Sequence, residues 1–165
     1  MTPLPALLDK ELAAQGIDES TLNDNDLEFA VEAIRSFVTR LKTRTTWESH
    51  IGQLLTHSDV LSLTGWTKQA LSQAVRDHRV LRLDGDGRHA YLLSGFGDES
   101  PARPLPGIKA LRPLTAADPR GWTTATWLMS PQPELGGRTP RDALMAGMNE
   151  QVALLADQTA ARLAE

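Results

Sequence analysis

Residues 58–93, SDVLSLTGWTKQALSQAVRDHRVLRLDGDGRHAYLL, constrain the fold of this chain more than any other stretch. Val60, Leu61 and Leu63 give a short helix its apolar side, with Ser58 as the expected N-cap. Gly65 follows, where a left-handed backbone costs least. Thr67 is placed to cap a second helix, in which Leu71, Ala74 and Val75 make a compact apolar face. Gln69, Ser72, Gln73 and Arg76 share the polar face through i, i+3, i+4, i+7 spacing. Residues 80–83 and 90–93 then read as two short strands, joined at Asp84-Gly85-Asp86-Gly87. Helix, turn, helix and hairpin is the order of a winged helix-turn-helix, a module that lays its second helix in the DNA major groove.

The bulk properties leave room for that module. A chain of 165 residues suits one domain or two small ones. Its apolar content of 41% is above the range of disordered chains. No apolar run approaches membrane-spanning length, and the opening MTPLPALLDKEL lacks the basic start expected of a signal peptide. With no cysteine there are no disulfides or thiolate metal sites, which suits a cytoplasmic location. The net charge of −4 offers little general attraction to phosphates. That charge is unevenly placed. Residues 1–34 hold eight acids against the single base Lys10. Residues 64–90 hold five bases (Lys68, Arg76, Arg79, Arg82, Arg88) against three acids, so the expected reading module is locally basic.

Outside that stretch the pattern is helical, and four regions are expected. Residues 1–46 form N-terminal helices. The first covers residues 4–15 and stops at Gly16; a longer one is capped by Asn25 or Asp26 and runs to about Thr43. Along it Leu27, Val31, Ile34, Val38 and Leu41 alternate spacings of four and three, an a/d seam about two heptads long. Such a seam either packs on its own domain or forms a homodimer contact. Residues 47–99 form the DNA-binding region, opening with a helical piece over residues 47–55. Residues 100–117 are rich in proline and read as a linker with one helical turn near Ile108. Residues 118–165 form a second helical domain. There Asp118-Pro119 and Thr139-Pro140 look like N-cap and first-turn pairs, Gly147 a stop, and Asn149 the cap of a last helix. Val152, Leu155, Ala156, Thr159 and Leu163 form one face of that helix, and Trp127 is assigned to the core. The expected fold is mostly α, with a small β-hairpin.

The polar face of the second reading helix carries the residue types that DNA recognition uses. Arg pairs bidentately with guanine and Gln with adenine, which fits Arg76, Gln69 and Gln73. Thr67, Lys68 and Ser72 suit phosphate contacts near the helix start, and Arg88 sits at the hairpin tip, where a wing meets backbone or minor groove. The plain alternative is a solvated face of an ordinary surface helix. A homodimer is expected with this reading, because one helix buries little surface and dimers read paired half-sites.

Other chemistry finds little footing. His50 and His57 lie seven apart, too far for a zinc pair. Asp84 and Asp86 suggest a calcium loop only superficially, since the closing Glu is missing. Gly95-Phe96-Gly97 is a lone GxG, and no Ser sits in a nucleophile elbow. Neither an enzyme nor a cofactor is expected.

Several C-terminal residues resemble a known family. Asp118-Pro119, Trp127-Leu128, the run LGGRTPRDAL from Leu135 to Leu144, and Gly147, Glu150 and Val152 resemble the toxin-binding domain of the MbcA/ParS/Xre antitoxin family. Pro104-Leu105-Pro106-Gly107 and Gly65-Trp66-Thr67-Lys68-Gln69-Ala70 are similar to members with a helix-turn-helix before that domain. The resemblance spans residues 47–163. It implies an operator-binding N-terminal part and a C-terminal part that packs on a RES-type toxin acting on NAD. This chain would then be the neutraliser and autorepressor. Leu135, Gly136, Gly137, Arg138, Thr139 and Pro140 would form the partner contact. Two other readings stand beside it: a DNA-binding regulator without a toxin, and a protein-interaction module without DNA binding.

Overall fold

Glycines in left-handed backbone and hydroxyl or carboxamide caps set most of the element boundaries. The computed structural model describes every residue from Met1 to Glu165. Helix α1, Leu4–Ala14, ends where Gly16 takes φ +68° and Ile17 N–H donates to Leu12 O. Helix α2, Asp24–Ile51, begins one or two residues before the expected cap. The cap is Asn23, in a reciprocal pair: Asp26 N–H donates to Asn23 Oδ1 at 3.1 Å, and Asn23 N–H to Asp26 Oδ2 at 3.0 Å. The expected break near Thr43 does not occur. Thr39 and Thr43 turn their hydroxyls onto the carbonyls of Arg35 and Thr39, so they no longer compete for the helical amides. The helix stops instead before Gly52, at φ +90°.

Two compact units divide between Arg44 and Thr45. In the first, Met1–Arg44, no residue is buried. The second, Thr45–Glu165, holds both hydrophobic clusters.

Within the second unit the element order is strand, two helices, hairpin, then four helices. Residues 54–55, expected to be helical, are strand β1 (Leu54–Leu55). Helices α3 (His57–Thr64) and α4 (Lys68–Arg76) follow, then β2 (Arg82–Gly85) and β3 (Arg88–Leu92). The sheet is antiparallel in the order β1-β3-β2, with Leu54 opposite Leu92, Leu55 opposite Tyr91, and Gly85 opposite Arg88. The cap of α3 is Thr56 rather than Ser58, through a capping box with Asp59. A box satisfies two amides where a Ser58 cap would satisfy one.

Alternation along the strands explains why the sheet is packed on both sides at β1 and the Tyr91–Leu92 end of β3. Successive side chains point to opposite sides. Leu55 and Tyr91 join Val60, Leu71, Ala74, Val80 and Phe96 in one cluster, the side of α3 and α4. Leu54 and Leu92 join Leu81 and Leu83 in the other, with Leu128, Leu144 and Val152 from the C-terminal helices.

That second cluster corrects two expectations. The proline-rich segment is not a linker: Leu105, Ile108, Leu111 and Leu114 are buried in the core, Leu105 just ahead of a 3₁₀ turn (Ile108–Leu111) and Leu114 on helix α5 (Arg112–Ala117). Residues 47–99 and 118–165 therefore share one core instead of forming separate domains. Prolines deny a long helix but not packing, and the apolar residues between them recur every three.

The remaining helices are α6 (Trp122–Leu128), α7 (Pro140–Met145) and α8 (Asn149–Leu163). Gly121, not Asp118, occupies the N-cap of α6, yet the Asp118 carboxylate still accepts the Thr124 amide at 2.8 Å. Thr139 caps α7 as expected, accepting from Asp142 N–H at 3.1 Å, and Gly147 closes it at φ +81°. Met148 rather than Asn149 is the N-cap of α8. Val152, Leu155 and Ala156 are buried, while Leu163 is exposed, and Trp127 lies in the core. No helix is long and apolar enough to cross a membrane.

Candidate nucleic-acid interface

The candidate surface begins with how α4 is held. Thr64 Oγ1 donates to Val60 O and accepts from Trp66 N–H, while Gly65, at φ +72°, donates its amide to Leu61 O at 2.9 Å. The amides of Gly65 and Trp66, the two residues that turn the chain between α3 and α4, are therefore both satisfied. Thr67 then caps α4 through Ala70 N–H at 3.1 Å. Leu71 and Ala74 are fully buried and Val75 half-buried, which fixes the rotation of the helix. Leu71→Ala would cost about 2–5 kcal/mol at such a site.

With the apolar side committed inward, Lys68, Gln69, Ser72, Gln73 and Arg76 are all exposed. The structure thus brings the five expected helix contacts onto one outward face, with Thr67 at its start. Towards the end of α4 they form a chain. Arg76 Nη2 donates to Gln73 Oε1 at 2.7 Å, and Gln73 Nε2 donates to Asp77 Oδ1 at 2.9 Å. Arg79 lies 3.5 Å from the same carboxylate. Sequence spacing did not reveal this chain. It holds Gln73 and Arg76 together, and it places one negative charge, Asp77, beside them.

The hairpin has a two-residue turn. Asp86 and Gly87 both have positive φ, +50° and +71°, the backbone whose twist matches that of two paired strands. Arg88 follows directly and is exposed, as is His89. Asp84 anchors the basic groups of the strands: its Oδ1 lies 3.0 Å from Arg82 Nε and 2.6 Å from His89 Nδ1. The base of the hairpin is braced from behind. Trp122 Nε1 donates to Asp84 O at 3.0 Å, and its ring sits 4.8 Å from that of Trp47. Gly121 brings its Cα hydrogens against the Arg82 carbonyl, which a Cβ would strike.

Tyr91, on the α3–α4 side of the sheet, has its phenol pushed above the usual value by burial, with the Arg82 charge opposing and the Asp84 charge adding. Its hydroxyl lies 3.4 Å from His57 Nδ1. These groups hold the sheet and do not face outward.

The second expected contact, residues 135–140, divides. Gly136 and Gly137, at φ +68° and +80°, and Arg138 are exposed on a tight loop, where Gly137 N–H and Leu135 N–H both donate to Gln132 O. Leu135 and Pro140 are buried, and Thr139 is occupied with capping α7. Leu135 and Pro140 shape the loop from within and offer no surface, whereas Thr139 stays half-exposed beside it. Arg138 Nη1 lies 3.2 Å from Met148 Sδ. Arg141, passed over in sequence, is the firmest polar link of this region. It donates to Ser94 O at 3.0 Å and Phe96 O at 3.2 Å, and pairs with Asp98 at 2.8 Å.

Comparison with family models, with curated proteins and with solved structures returns no match. The DNA-binding reading therefore rests on the site itself.

Proposed function

We propose that residues 54–92 act as a winged helix-turn-helix that binds double-stranded DNA, with α4 as the reading helix and the β2–β3 hairpin as the wing. The observation that carries this reading is the division of α4. Leu71 and Ala74 are fully buried, while six polar residues suited to bases and phosphates are presented outward from a capped, Gly-turned start. The strand–helix–turn–helix–hairpin order supports it, as does Arg88 at the wing tip. Arg76, Gln69 and Gln73 read bases; Thr67, Lys68, Ser72 and Arg88 hold phosphates. Specific binding must dominate, because a chain of net charge −4 gains little from phosphates alone.

The second half of the proposal rests on the resemblance together with the exposed Gly136-Gly137-Arg138 loop. The C-terminal helices bind a toxin protein of the RES type, and the chain represses its own operon. In this reading the chain is a binding protein, and the catalysis belongs to its partner. Co-expression with the product of the neighbouring gene tests it. A stable complex that is lost in Arg138→Glu supports an antitoxin. Failure to associate leaves a DNA-binding regulator without a toxin. For the DNA half, a mobility shift is expected on DNA upstream of the chain's own gene, weakening as salt rises. No shift at either of two salt concentrations would leave only a protein-interaction module.

A further inference from the structure

The first unit, Met1–Arg44, cannot be complete as it stands alone: none of its residues is buried. On α2 the seam residues Leu27, Val31, Ile34, Val38 and Leu41 are between 44% and 55% exposed. Phe37, 45% exposed, flanks that seam, and Phe29, 78% exposed, lies near the far side of the helix from it. At about 100° per residue these side chains together cover roughly 200° of the helix circumference. A two-stranded coil buries only the narrow a/d stripe. More than one helix must therefore cover α2. Helix α1 carries an apolar face of its own, with Leu4, Leu7 and Leu8 all exposed.

Charge says what fits this surface. The first part of α2 carries Asp24, Asp26, Glu28 and Glu32; the part leading to the unit boundary carries Arg35, Arg40, Lys42 and Arg44. A second copy laid parallel would set acid against acid and base against base. Laid antiparallel, it sets each acidic end against a basic one. An anionic lipid surface is a poor fit, because it calls for a uniformly basic polar face, and here Glu28 and Glu32 share that face with Arg35 and Lys42.

We propose that this unit docks a second copy of the same chain, with the two α2 helices antiparallel across the seam. The two α1 helices lie over the Phe29–Phe37 stripes and complete a four-helix bundle. The contact is two-fold and self-complementary. It stands apart from the DNA reading, since none of its residues lies on α4 or the hairpin.

The full chain has no cysteine, so single cysteines report the pairing without background. Leu27 and Leu41 lie about 21 Å apart along α2 at ~1.5 Å per residue. With a short bis-maleimide, a mixture of Leu27→Cys and Leu41→Cys chains is expected to give the mixed crosslink, and each variant alone none. Sedimentation of the unmodified chain at micromolar concentration is expected to give a dimer. Val38→Glu is expected to weaken that dimer at least tenfold while leaving the thermal transition of the second unit in place. A monomer at every concentration, same-site crosslinks at Leu27 or at Leu41, or a dimer unmoved by Val38→Glu would each overturn the proposal.

Discussion

Two polar residues of the second unit, Thr124 and Arg141, make opposite demands on their surroundings. The Thr124 hydroxyl is buried with no hydrogen-bond partner. An orphaned hydroxyl costs about 1–3 kcal/mol, whereas a methyl of the same shape costs nothing there. Thr124→Val is therefore expected to be neutral or to stabilise the fold by up to about 1 kcal/mol. A clear fall in melting temperature would mean that the hydroxyl has a partner. Arg141 is the reverse case. Its two carbonyl acceptors lose their donor on truncation, so Arg141→Ala is expected to cost about 2 kcal/mol. The Asp98 carboxylate it also meets is largely exposed, so Asp98→Ala is expected to cost under about 1 kcal/mol in the same denaturant titration. The caps at Thr67 and Thr139 were legible in sequence because each bond closes within three residues. Arg141 was not, because its partners lie 43 to 47 residues away.

At the scale of elements, sequence pattern identified segments whose physics is local and missed those decided by packing. A turn within Asp84–Gly87 and the inward face of α4 follow from backbone and periodicity alone, although the turn is shorter than expected, with Asp84-Gly85 and Arg88-His89 paired as strand. Strand β1 has two residues and no periodicity to read; Leu54 and Leu55 are strand because Leu92 and Tyr91 lie opposite them. The proline-rich segment likewise read as a linker until the core that receives Leu105, Ile108 and Leu111 was in place. Burial of Tyr91 in this sheet has a measurable consequence. Its phenol ionises less readily in the fold than in the unfolded chain, whose value is near 10.0. The unfolded state therefore loses its proton first. The stabilisation is fully present below about pH 10 and is lost as pH rises through the higher folded value. Denaturant titrations across that window are expected to show a steeper alkaline loss for the unmodified chain than for Tyr91→Phe. Equal slopes would mean that Tyr91 is not the group responsible.

For the whole molecule, the division of labour follows from where apolar surface is buried and where it is not. In Thr45–Glu165 the two hydrophobic clusters lie on either side of the small sheet, and they hold the β2–β3 hairpin and α4 in place. Met1–Arg44 leaves its apolar residues outside, the surface to which the dimer proposal assigns a second copy. The chain is acidic overall yet locally basic around α4, so on the proposed reading placed contacts, more than net charge, would supply affinity for DNA. The central claim is that α4 reads DNA, and a binding titration on the chain's own upstream DNA, comparing the unmodified protein with Arg76→Ala at two salt concentrations, tests it most directly. The expected result is salt-dependent binding by the unmodified protein and a loss of about 1–3 kcal/mol, or about 5- to 150-fold, in the folded variant. Absence of binding, or the same affinity in both proteins, would contradict it.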